Sequence, residues 1–242
     1  GILKKCHLLN ALGGVVVSAL LLGGSNMAFA AAPIVISDSH QVADGITEEY
    51  TTIDVNSGGT LSIARNGKVV GTDATIGAGG RITSVKNLHI GIFGSGQANT
   101  GLRADSLTIG GSSGSLAEAQ ASHLSLNGTV TINQYGKLTL DSINSDNASV
   151  WMNGKLAING GMLDIATLSI AYDKLVGTDT ADSLILANSG QLVVRDTLAI
   201  TGGSFTNTLG GAIKTGKLVM DAGESYTHDT ANSLNIIGMA GG

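Results

Sequence analysis

One short unit constrains this chain more than any other feature: glycine, any residue, an aliphatic, any residue, an aliphatic. It appears as Gly59-Thr60-Leu61-Ser62-Ile63 and returns at Gly136 to Leu140, Gly154 to Ile158, Gly161 to Ile165, Gly190 to Val194 and Gly216 to Met220. A second set opens on Asp, Ser, Ala or Asn instead: Asp105 to Ile109, Ser122 to Leu126, Ala166 to Ile170, Asp182 to Leu186, Asp196 to Ile200 and Asn232 to Ile236. Apolar residues alternating with mostly polar ones have the period of a half-buried strand. Each unit is short and bounded by Gly, Asn, Asp or Ser, the residues of tight turns.

Neighbouring units lie close enough that three of them make a turn of about twenty residues, within the range of solenoid repeats. Gly58-Gly59 recurs at Gly79-Gly80, and Leu163, Leu184 and Phe205 are evenly spaced. The expected fold is all-β: a right-handed parallel β-helix with three short strands per coil. In such a stack each strand uses both its N–H and C=O groups on the coils above and below, which excludes proline from inner coils. The single proline, Pro33, precedes the first strand unit. A narrow core filled by Leu, Ile and Val also accounts for an aromatic content of only 3%. Disorder is excluded by 43% hydrophobic residues and a formal charge of −5.

Two other β architectures fit less well. A transmembrane barrel needs strands of about 9–11 residues and aromatic girdles. A leucine-rich repeat needs a longer motif with helical or 3₁₀ returns. Three stretches break the strand rhythm. Phe93 to Arg103 and Tyr172 to Ala181 are expected as loops, and Leu116 to Ala121 as a helical turn.

The first thirty residues have a different character. Lys4-Lys5, an apolar run from Leu8 to Gly24 and Ala28-Phe29-Ala30 follow the order of a secretory signal peptide. The expected division is therefore 1–30 signal peptide and 31–242 β-helix. Removing the leader takes away Lys4, Lys5 and the only cysteine, Cys6. The remaining chain is more acidic and has no disulfide to stabilise it.

Residue types that could carry chemistry are few and scattered. Gly110-Gly111-Ser112-Ser113-Gly114 matches the G-x-S-x-G nucleophile pattern, but that motif needs a strand, an elbow and a helix. His40, His89, His123 and His228 are scattered, with His89 and His123 at outward strand positions where solvated faces are expected. No zinc spacing or calcium-repeat motif appears. Asp105, Asp182 and Asp196 open strand units, where turn capping is expected. Arg65, Arg81, Arg103 and Arg195 are spread along the chain. No catalytic, cofactor-binding or metal-binding residues are assigned, and no enzyme activity is expected. No basic run follows Lys4-Lys5, so nucleic acid is not an expected partner.

Val55-Asn56-Ser57-Gly58-Gly59-Thr60-Leu61 resembles the repeat of AIDA-type autotransporter adhesins, and Ile76-Gly77-Ala78-Gly79-Gly80-Arg81-Ile82 resembles a degenerate second copy. The resemblance covers 51–85 best and the rest of 31–242 loosely. It implies type V secretion through the periplasm to the outer membrane or cell surface of a Gram-negative bacterium. It also implies a passenger that reaches Gly242 before the C-terminal translocator barrel. The implied role is adhesion, self-association or biofilm formation, with other cells, a host surface or like passengers as partners. A secreted polysaccharide-acting enzyme and a purely structural stalk are the alternatives.

Overall fold

The computed structural model describes residues 31–91, 100–111, 114–126, 128–141, 149–152, 155–170, 184–187, 190–200, 204–208, 211–220, 225–228 and 233–236. The expected leader and the expected loop at 172–181 lie outside them. The chain is a parallel β-helix. Its first sheet stacks Ile34–Ile36, Thr52–Val55, Asp73–Ile76, Ser106–Ile109, Thr129–Asn133 and Lys155–Asn159. Its second runs from Ser39–Val42 through Thr60–Ile63, Arg81–Ser84, Ala117–Ala121 and Gly136–Leu140 to Met162–Ile170, Gln191–Ile200, Ala212–Met220 and Ser233–Ile236. The third orders Thr47–Glu49, Lys68–Val70, Gly101–Ala104, Asn87–Ile90, His123–Leu126 and Ser149–Met152. Leu184–Ala187, Ser204–Thr208 and Ser225–His228 form a smaller parallel sheet, and Leu184–Ala187 packs beside Lys155–Asn159.

The alternation in the sequence is the alternation of inside and outside. One inward row links Leu61, Ile82, Ala119, Leu138, Leu163, Leu192 and Ile213 in register, and every member is at most 1% exposed. Ile34 pairs with Ile53 and Ile53 with Ala74, steps of 19 and 21 residues. Insertions lengthen later coils: Ala74 pairs next with Leu107. The even spacing of Leu163, Leu184 and Phe205 is not one row. Leu163 pairs with Leu138 and Leu192 on the second sheet, whereas Leu184 pairs with Phe205 on the small one.

The corner between the first two sheets explains the glycine of the repeat. Gly58 and Gly79 adopt φ of 83° and 72°, open to glycine without a Cβ penalty. The glycine that follows each of them serves a different need. At Gly80 an added Cβ would run into the Val55 carbonyl of the coil below, so the coils can close to strand spacing only without a side chain there. Gly80 N–H then donates to the Gly77 carbonyl at 2.9 Å.

The structure differs from expectation in two places. Ala117–Ala121 is a strand, not a helical turn, and no helix occurs among the described residues. Ala, Glu and Gln favour helix locally. Here Ala119 fills an inward slot between Ile82 and Leu138, and Glu118 and Gln120 point out, so the stack overrides local preference. The expected loop from Phe93 also ends early, because Gly101–Ala104 is a strand inserted out of order. It pairs with Lys68–Val70 on one side and Asn87–Ile90 on the other. The third sheet thereby gains one strand in that coil.

The first described coil carries polar residues in two of its inward slots. His40 is in register with Leu61, and Glu48 with Val69, so both occupy inward slots. There Glu48 Oε2 lies 2.7 Å from His40 Nε2 and accepts the Tyr50 hydroxyl at 2.8 Å. Burial, and then the Glu48 carboxylate, push the Tyr50 phenol well above its ordinary value. Polar groups that satisfy one another stand where the next coil has Leu61 and Val69. Further in, buried hydroxyls are matched by backbone: Ser84 donates to the Asn87 carbonyl at 2.8 Å and Ser122 to the Val85 carbonyl at 2.9 Å.

Two outcomes follow for stability. Leu163→Ala is expected to cost about 2–5 kcal/mol, and Leu163→Asp more, by burying a charge. A Leu163→Asp chain that melts like wild type would show that Leu163 does not point inward. Glu48→Ala leaves His40 and Tyr50 without their shared acceptor, a loss of roughly 1–3 kcal/mol. Coils of a solenoid open almost independently. Hydrogen exchange should therefore quicken over 34–50 and stay unchanged beyond Leu107; uniform acceleration would rule out a local role.

Candidate functional site: the outer faces of the stack

Strand register places every outward side chain in a row running along the stack, at steps of about 4.8 Å. Among the described residues no group of three or more His, Cys, Asp and Glu is placed to hold a metal ion. What the outer surface offers is ordered rows, and the three faces differ in chemistry.

The first face is rich in hydroxyls. Thr75, Thr108 and Thr131 are in register, with Asp54 continuing the row below them. The parallel row holds Thr52, Asp73, Ser106 and Thr129. Ser106 donates to Asp73 Oδ1 at 2.6 Å across neighbouring strands.

The second face carries charges of alternating sign. Arg81, Glu118 and Lys137 follow one another in register, and Arg81 pairs with Glu118. Lys137 Nζ reaches Asp164 Oδ2 at 4.0 Å. Arg195 bridges Asp164 at 3.5 Å and Asp141 at 3.1 Å, and also donates to the Leu140 carbonyl at 3.3 Å. Solvent-exposed pairs of this kind contribute about 0–1 kcal/mol each. Their consequence is cancellation among Arg81, Glu118, Lys137, Asp164, Arg195 and Asp141. Beside it, Gln41, Ser62 and Thr83 line an open groove with Ala43, Ala64 and Val85 of the next corner.

The third face is basic. Arg103 is in register with His89, and Asn87 with His123. His123 N–H donates to the Lys86 carbonyl at 2.9 Å, which brings Lys86 alongside. His89 holds an outward register position, yet it is only 6% exposed and not on a solvated face as expected. The inserted strand Gly101–Ala104 and the strand of His123 flank it on both sides. Burial first, and then Arg103, His123, Lys68 and Lys86, lower its pKa to about 4.

The remaining candidates from sequence do not converge. The Gly110 to Gly114 motif follows strand Ser106–Ile109 and precedes another strand, Ala117–Ala121, so the strand–elbow–helix setting is missing. Ser112 and Ser113 lie outside the described residues. Asp105 is exposed at the corner before Ser106, whereas Asp196 falls within strand Gln191–Ile200, where its carboxylate accepts the Thr197 hydroxyl at 3.3 Å. Asp182 lies outside the described residues. The capping aspartate that sequence reasoning missed is Asp44, whose Oδ1 accepts Asn66 N–H at 2.9 Å from the next coil. Arg65 sits on the corner after Thr60–Ile63, and His228 pairs in register with Asn207. Comparison with known protein families, with characterised proteins and with solved structures gives no match.

The buried imidazole makes a pH prediction. Between its ordinary pKa of 6.5 and about 4, the unfolded chain binds a proton that folded His89 refuses. Acidification through that window therefore favours unfolding, by up to roughly 3 kcal/mol. His89→Asn should have a flatter dependence of melting temperature on pH from 6.5 down to about 4. Parallel curves for the two proteins would show that His89 protonates freely in the fold.

Proposed function

We propose that this chain is the displayed, adhesive part of a surface protein, acting in adhesion, self-association or biofilm formation. The observation that carries the reading is the ordered outer row Asp54, Thr75, Thr108 and Thr131, with Thr52, Asp73, Ser106 and Thr129 beside it. Rigid rows of short polar side chains suit contact with another extended surface. Each hydrogen bond between two such faces contributes only about 0.5–1.5 kcal/mol net, but many can form together. The AIDA-type resemblance at Val55 to Leu61 and Ile76 to Ile82 supports the same reading. So does the signal-peptide pattern of 1–30, which fits export to the surface of a Gram-negative cell.

Display of the chain on non-aggregating cells tests this directly. Displaying cells are expected to settle from suspension or to hold to a surface. Thr75→Lys, Thr108→Lys and Thr131→Lys together should abolish settling by setting like charges opposite one another. Cells that neither aggregate nor adhere to any surface would sink the proposal.

A further inference from the structure

Over the middle coils the third sheet is one strand taller than the other two. From Thr52–Val55 to Thr129–Asn133 the first sheet takes three strand steps, and from Thr60–Ile63 to Gly136–Leu140 so does the second. Across the same coils the third sheet, from Lys68–Val70 to Ser149–Met152, takes four. Gly101–Ala104 is the extra strand, and it adds about 4.8 Å to one face only. The two coils it separates are already paired elsewhere: Thr52–Val55 with Asp73–Ile76, and Thr60–Ile63 with Arg81–Ser84.

The separated strands match each other. Gly101–Ala104 is in register with both, so its removal would set Val69 against Leu88 inward, and Lys68 against Asn87 and Val70 against His89 outward. Chain lengths agree as well. The step from Ala74 to Leu107 is 33 residues, and without 92–105 it is 19, the same as the step from Ile34 to Ile53. Gly91 would then run straight into Ser106, as Thr72 runs into Asp73, the partner of Ser106 on the coil below. In its slot the strand is well held: Leu102 is buried, Gly101 N–H donates to the Gly67 carbonyl at 2.7 Å, and Gly91 N–H donates to the Ala104 carbonyl at 2.7 Å. Leaving forfeits these contacts, but direct pairing of the flanking strands restores a parallel ladder in their place.

We infer that Gly101–Ala104 is an exchangeable wedge: the third sheet has a second, less populated arrangement in which this strand has left and Lys68–Val70 pairs directly with Asn87–Ile90. The exchange leaves the pairing of the first two sheets unchanged and brings the three faces level. It withdraws Arg103 and places Val70 beside His89, so it resets what the third face presents. Anything that favours one arrangement shifts the population toward it. The inference does not depend on the adhesive reading.

The test is a disulfide trap in the full chain carrying Cys6→Ser, which leaves no native thiol. In Lys68→Cys with Asn87→Cys the two positions lie two strand steps apart, roughly 9.6 Å, beyond the ~7 Å that a disulfide spans; with the wedge out they are neighbours. Mild oxidant should therefore link them under native conditions. Lys68→Cys with His123→Cys, one step farther along the sheet, should stay reduced. Gly101→Ala should speed trapping roughly tenfold. Gly101 has φ of 95°, and an added Cβ would meet the Asn87 carbonyl, so this change disfavours the wedge in its slot. A Lys68–Asn87 pair that stays reduced overturns the inference. So does equal linking of the control pair, which would report unfolding, and so does trapping that Gly101→Ala leaves unchanged or slows. Circular dichroism checks that the variants fold; if the cysteine pair does not, hydrogen exchange in the unaltered chain decides. Amides of 101–104 should then exchange faster than those of 68–70 and 87–90, which are paired in both arrangements, and equal protection of all three strands overturns the inference.

Discussion

Everything in this structure depends on parallel strands stacking at a fixed spacing with both edges of each inner strand occupied. Coils at that distance leave no room for a side chain where one corner crosses the next. Gly80 meets the Val55 carbonyl, and Gly136 in the same way meets that of Ile109. The same stacking divides residues strictly into inward and outward rows. Burial of Ile, Leu, Val and Ala along the axis then supplies the main stabilisation, and the outer rows are left free to carry chemistry. Register is the link between fold and function here, because a slip of one residue would turn every hydroxyl and charge inward.

The first described coil keeps the geometry of its neighbours and the inward aliphatics Ile34, Ile36 and Val42, but fills two other inward slots with His40 and Glu48. His40 and the Tyr50 hydroxyl meet on the Glu48 carboxylate, so these polar groups satisfy one another where the next coil places Leu61 and Val69.

Much of the fold was legible because its signals are local. Period two in Thr60-Leu61-Ser62-Ile63 and the glycines at 58–59 and 79–80 each report a strand or a corner without reference to distant residues. What could not be read depends on which strand lies next to which. Ala117–Ala121 has a helical composition and becomes a strand only because Ile82 and Leu138 flank it. Gly101–Ala104 carries no mark of pairing out of order. The burial of His89 and the basic patch both follow from that pairing, so the candidate site was hidden even though each of its residues was visible. The salt-bridged row was hidden for the same reason: Arg81 and Glu118 are 37 positions apart in sequence.

The second and third faces arrange their charges differently. Alternating signs on the second face cancel within a few ångströms, so little field extends outward and a charged partner would have to displace existing pairs. On the third face the insertion of Gly101–Ala104 sets Arg103 in register between Val70 and the buried His89. Strand order, and not composition alone, therefore decides what that face presents.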